Sequence, residues 1–121
     1  MFQTEIEFTL PCGYLDRDGT LHREGLMRRA TAADEILPLK DPRVVKNSAY
    51  LVIILLSRVI TRLGSVSQIT PQTIEDIYAT DLDYLQNLYN KFNQLADSPS
   101  EAALQPQSSP NGAQSASVGG S

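Results

Sequence analysis

The sequence predicts an α+β fold, an N-terminal β-hairpin packed on a small bundle of three to four helices, followed by a disordered C-terminal tail. Three observations carry this. Residues 2–10 alternate apolar and polar side chains with a period of two, and an Asp-Gly pair follows shortly after. From Thr31 to Leu95 apolar residues recur at helical spacing between recognisable caps. From Asp97 onward the composition changes, so the expected division is a folded domain over 1–96 and a tail over 97–121.

In the first element Phe2, Thr4, Ile6, Phe8 and Leu10 share one face, with Gln3, Glu5, Glu7 and Thr9 on the other, as in a half-buried strand. Pro11 and Gly13 break the run. Asp16-Arg17-Asp18-Gly19 is a hairpin turn signal, because glycine tolerates the positive φ such turns need. Thr20 to Met27 returns as the second strand. Two strands alone are marginal in water, so the hairpin must pack on helices or pair with something.

Thr31, with Asp34 and Glu35 behind it, opens a helix: the hydroxyl accepts an orphan N–H and the acids suit the positive helix end. Pro38 limits it to about two turns. Asp41-Pro42 reads as a turn or a new start. Asn47 or Ser48 can cap the next segment, Ala49 to Leu63, with Gly64 as its C-terminal cap and Arg58 and Arg62 in its last turns. Val52, Ile53, Ile54, Val59 and Ile60 would also suit a strand, but length and caps favour a helix. Being apolar on nearly every side as far as Leu56, it is expected to be the central buried one. Thr70-Pro71 opens a further helix with Ile74, Ile77 and Tyr78 as its inner stripe. From Thr80 to about Leu95, Leu82, Leu85, Tyr89 and Phe92 follow a three-four seam, widened by Leu88 and Leu95. The 25 residues from Asp97 to Ser121 hold seven Ser, three Pro, three Gly and three Gln and no aromatic residue, too little apolar surface to offset ordering entropy.

Composition bounds the function. The chain has 121 residues, of which 41 % are hydrophobic, with no Trp: one domain with a modest core. A net charge of −4 argues against nucleic acid as partner, since phosphate binding needs a concentrated basic face. Charge is unevenly spread, with nine basic and five acidic residues from Arg17 to Arg62, and Glu75, Asp76, Asp81 and Asp83 against Lys91 from Ile69 to Ala96. Cys12 is the one cysteine, so no intramolecular disulfide forms, which fits a reducing compartment. The first ten residues lack the pattern of a signal peptide, and the apolar run from Ala49 to Leu56 is far short of the roughly 20 residues a membrane span needs. A cytoplasmic protein that does not engage membranes is expected.

Catalytic chemistry finds little support in the residues. Cys12 and His22 both fall at the hairpin and form a dyad on paper, but a reactive thiolate also needs a pocket and a nearby base or cation. Asp16, Asp18 and Glu24 imitate half a calcium loop without its spacing. There is no phosphate-binding glycine loop, nucleophile elbow or metal-spaced Cys/His set. We therefore expect no enzyme, no cofactor and no metal. The Leu82–Leu95 seam has two readings. It packs on the Ala49–Leu63 helix, or it is a face for a partner helix, in which case Tyr78, Leu82, Leu85, Leu88, Tyr89 and Phe92 are the contact residues.

Phe8-Thr9-Leu10-Pro11-Cys12-Gly13-Tyr14, Asp18-Gly19-Thr20-Leu21-His22-Arg23-Glu24 and Met27-Arg28-Arg29-Ala30-Thr31-Ala32-Ala33-Asp34-Glu35 form a pattern that resembles one family. It is similar to the small tail-assembly proteins (tail assembly chaperones) of contractile-tailed phages and phage-derived contractile injection systems. The resemblance covers roughly Glu5 to Phe92 and is most specific from Leu10 to Glu35. It implies a non-catalytic role: binding the tape-measure protein, or the tail tube protein, during assembly. It brings no catalytic residues and no defined contact residues. The alternative is a structural baseplate or tube-associated subunit retained in the particle. Self-association into a homo-oligomer is a further expectation.

Overall fold

The computed structural model describes residues 3–94. The tail expected over 97–121, together with Phe2 and Leu95, lies outside them. Within them the chain forms three strands and five α-helices. The predicted α+β architecture is present, with one strand more than the hairpin.

β1 (Glu5–Leu15) and β2 (Leu21–Arg28) pair antiparallel from Glu5 opposite Arg28 to Thr9 opposite Glu24, and again at Tyr14 opposite His22. Pro11 and Gly13, expected to end the strand, instead form a bulge inside it. Gly13 has φ +106°, and a Cβ there would meet the Leu21 and Arg23 side chains at 2.9 Å, so the bulge needs glycine. Asp16 organises the turn: its Oδ1 accepts from the Asp18 and Thr20 amides, both at 2.9 Å.

The larger departure is the apolar segment 49–63. It is not one helix. Asn47 accepts from the Ala49 amide at a short 3-10 turn, α3 spans Leu51–Val59, and Ile60–Leu63 becomes β3 on the free side of β2. The unpaired edge of β2 offers ladder hydrogen bonds, and Ile60–Leu63, opened by the β-branched Ile60-Thr61, takes them at little conformational cost. Arg28 Nη2 covers the break by donating to the Arg58 carbonyl at 2.9 Å. Gly64 is therefore no helix cap. It sits at φ +55° beyond β3, its amide donates to the Glu24 carbonyl at 2.7 Å, and a Cβ would overlap the His22 ring.

The remaining helices begin where the sequence predicts. α1 (Ala32–Ile36) starts after Thr31 and passes into a 3-10 turn over Leu37–Lys40 that contains Pro38. α2 (Pro42–Lys46) is capped by Asp41, which accepts from the Arg43 amide at 2.8 Å. α4 (Pro71–Glu75) starts after Thr70, and α5 (Ala79–Phe92) follows. α5 lies along β1 on the inner face of the sheet. The core joins Phe8, Leu10 and Met27 of the sheet to Leu56 and Val59 of α3 and Leu85 of α5. No described helix is long and apolar enough to cross a membrane.

The register leaves β1 as an open edge. The Arg29 amide donates to the Thr4 carbonyl, so Thr4, Ile6 and Phe8 turn their backbone toward β2. Glu5, Glu7 and Thr9 turn theirs outward. No described residue bonds those outward groups, and all three side chains are exposed.

Candidate partner-binding surface

The family-like motifs turn out to be devices that hold the fold. Asp34 is almost fully buried, and its carboxylate takes both terminal nitrogens of Arg28 (2.7 and 2.9 Å), Arg58 Nε (3.0 Å) and the Thr31 amide (2.7 Å). One carboxylate thus joins β2, α1 and α3. The Arg28 hydrogen bonds hold its carboxyl well below the usual carboxylate range, against the opposing effect of burial. Arg29 donates to the carbonyls of Gln3 and Phe92 and stacks 4.4 Å over the Phe92 ring. The Ala30 amide donates to Asn93 Oδ1 at 2.9 Å. Glu35 accepts the Tyr89 hydroxyl at 2.7 Å, and burial together with that acceptor pushes the phenol pKa up.

Asp81, in the first turn of α5, is wholly buried. Its two oxygens accept the Cys12 and Gly13 amides at 2.8 Å each, which pins the β1 bulge to the helix. Charge-assisted bonds to two otherwise orphaned donors make this a strong tie. Sequence reading placed Asp81 only in an acidic surface; an acid in a first helical turn gives no sign that it will reach backbone in another element.

The Cys12–His22 idea fails on geometry. The Ser65 amide, which can only donate, points at His22 Nδ1 (3.2 Å); the ring proton is therefore on Nε2 and is given to Asp16 Oδ2 at 2.7 Å. Both ring nitrogens are used, and no lone pair remains to serve as a base for the exposed Cys12. The ring stacks beside Tyr14 and ties the hairpin turn to the chain after β3. The imidazole hydrogen bond also lowers the Asp16 carboxyl pKa. A polar recess of about 480 Å³ lies next to this cluster, between the turn and α4, lined by Asp16, Asp18, Asp76 and Thr70 among others. Among the described residues no group of acids, His and Cys is arranged to hold a metal ion.

The predicted contact face on the last helix divides. Leu85, Tyr89 and Phe92 are core residues, and Leu82 and Leu88 are half-buried against that core. Packing accounts for these five. Buried or half-buried in the core, with α5 packed chiefly on β1 rather than on the Ala49–Leu63 segment, these five leave little free surface. Tyr78 alone stands out, 53 % exposed at the α5 N-terminus.

Most of the exposed apolar surface lies elsewhere: Leu15 and Leu21, paired at the hairpin end, are exposed, and a larger group follows in sequence after β2. Ile36 (59 % exposed), Leu37, Leu39 and Val45 (71 %) fall within ten residues of each other on α1, the 3-10 turn and α2. Short elements bury only one side chain each here: Asp34, Pro38 and Val44 face inward, and Ile36, Leu37, Leu39 and Val45 stay exposed. Lys40, Arg43 and Lys46 stand among them, with Arg43 bound to Asp41, whose carboxyl is lowered to about 2. The available sequence signal was Ile36-Leu37-Pro38-Leu39, an apolar run too short and too broken to form one buried face. Beside this stretch an apolar cleft of about 180 Å³ opens between α3 and α5, with Leu51, Val52 and Leu55 on one wall and Tyr89 on the other. The Glu35–Tyr89 bond links α1 to that cleft.

These features define a small α+β domain in which Arg28, Arg29, Asp34 and Glu35 are spent on internal bonds and several large apolar side chains are on the surface. Compared with known proteins, the chain matches no family model, no curated protein and no solved structure.

Proposed function

We propose that this protein is a non-catalytic assembly chaperone of the cytoplasm. It holds an amphipathic helix of a tape-measure protein, or a tube protein, while a phage tail or contractile injection system is built. The observation that carries the reading is the exposed stretch Ile36–Val45, with four large apolar side chains beside Lys40, Arg43 and Lys46. Exposed apolar side chains interspersed with charge on a small domain suit a groove-type contact with a helix. Covering a half-exposed Leu, Ile or Val contributes about 1 kcal/mol. Four of these against the entropy of association give weak, reversible binding, as a transient holder requires. The motif resemblance from Leu10 to Glu35 points to the same role.

The test is co-expression with the tape-measure and tube proteins, followed by affinity pull-down and a census of finished particles. The proposal stands if the tape measure becomes soluble only with this protein, Ile36→Asp/Val45→Asp loses it, and particles lack the chaperone. Indifference to the tape measure, with retention in particles at fixed stoichiometry, supports the second reading, a structural subunit. The open edge of β1 favours that second reading.

A further inference from the structure

The open edge of β1 carries an inference that depends on neither reading above. Over Glu5–Thr9 the outward N–H and C=O groups have no partner among the described residues. The edge ends at Pro11, which has no N–H, and at the Gly13 bulge, whose amide Asp81 has taken. What remains is a docking edge of about five residues, ended on one side by chemistry that prevents the ladder from continuing.

Charge selects its occupant. Any strand added here lies alongside Glu5, Glu7 and Thr9, whose side chains all point to the exposed face. Neither glutamate has an ion-pair partner among the described residues. A second copy of this chain fits badly. Antiparallel self-pairing that keeps all three residues paired sets glutamate opposite glutamate, or else sets Glu5 against Pro11. Like charges directly opposite are destabilising. The segment 97–121 fits no better, since it contains Asp97 and Glu101 and no lysine or arginine.

We propose that the Glu5–Thr9 edge accepts an extended segment of a partner protein that carries lysine or arginine at alternate positions. Main-chain bonds to Glu5, Glu7 and Thr9 supply the affinity. The two carboxylates read the alternate basic side chains and reject acidic or self-like strands.

The experiment titrates the full chain, labelled with nitrogen-15, with a synthetic hexapeptide alternating lysine and valine. The controls are a peptide with glutamate for lysine and a lysine peptide N-methylated at alternate residues. Shifts centred on the amides of Glu5, Glu7 and Thr9, with new protection from solvent exchange, are expected for the lysine peptide alone. Glu5→Lys/Glu7→Lys, two exposed substitutions that leave the core intact, should weaken binding at least tenfold. Binding that is unchanged by N-methylation or by the double substitution overturns the proposal, as do shifts elsewhere or none at millimolar peptide. Crosslinks between β1 strands of two copies would replace it with self-association.

Discussion

Removing the carboxylate of Asp81 is the sharpest test of how this fold is held. Asp81→Ala takes away the acceptor for the Cys12 and Gly13 amides, each 2.8 Å from a different carboxylate oxygen. Asp81 is at 0 % exposure and Gly13 is buried, so water does not readily replace the acceptor of the Gly13 amide, whereas the exposed Cys12 can turn its amide to solvent. A hydrogen bond to a charged group contributes about 1.5–3 kcal/mol, and leaving a buried donor unpaired forfeits that and its desolvation. One buried bond and one that water can partly replace put the cost at about 2–4 kcal/mol, a large share of the roughly 5–15 kcal/mol typical of a domain. At about 4–8 °C per kcal/mol for a domain of this size, Tm should fall by more than about 8 °C. Asp81→Asn should be only slightly milder. Its oxygen serves one amide while its NH2 group faces the other, a donor against a donor. Urea titrations and thermal melts followed by circular dichroism give both numbers. If Asp81→Ala lost less than about 1 kcal/mol at unchanged m-value, the carboxylate would not be the clamp between β1 and α5.

Other outcomes follow from the same geometry. The carboxyls of Asp16, Asp34 and Asp41 are lower in the folded protein than their usual 3.8, so their stabilisation is complete above about pH 5. It is lost as pH falls toward 2, and Asp34→Ala should flatten that acid slope as well as lower stability at neutral pH. Gly25→Ala should cost about 2 kcal/mol or more in a urea titration, because a Cβ there meets the Phe8 ring at 2.5 Å and overlaps the Arg62 carbonyl of β3. Ile36→Asp and Val45→Asp should change stability by less than about 0.5 kcal/mol while abolishing client capture, since both side chains are mostly in solvent.

Local chemistry was legible in the sequence wherever a residue acts on its own neighbours. Asp41-Pro42 and Thr70-Pro71 open helices because an N-cap acceptor and a proline at the first position need nothing from afar. The Asp16–Gly19 turn works the same way. Decisions made by distant partners were not legible. Residues 60–63 pair with the free edge of β2; the β-branched Val59 and Ile60 suited a strand, but length and caps outweighed that signal because the sequence does not show which edge is free. Asp81 looks like any first-turn acid until the β1 bulge supplies two amides. The spacing of the α5 seam was legible, but how much of it stays exposed was not: Tyr78 does, while Leu85, Tyr89 and Phe92 join the core. Tyr89 and Phe92 find Glu35 and Arg29 to cover their polar and aromatic edges, while the broken helices at 32–46 are too short to hide their own leucines and isoleucine.

The Arg29 guanidinium holds the carbonyls of Gln3 and Phe92 at once, so the two ends of the described fold meet at a single side chain. The domain is therefore closed like a clasped ring, and its order of synthesis is almost incidental to its architecture. A circular permutant joined from Gln94 to Gln3 by a few glycines, and opened at the exposed Asp18-Gly19 turn, should keep every strand and helix in place. Anything fused before Gln3 or after Gln94 would leave the body at the same point. Two cargoes attached there would be held side by side, with the Ile36–Val45 surface still free to work.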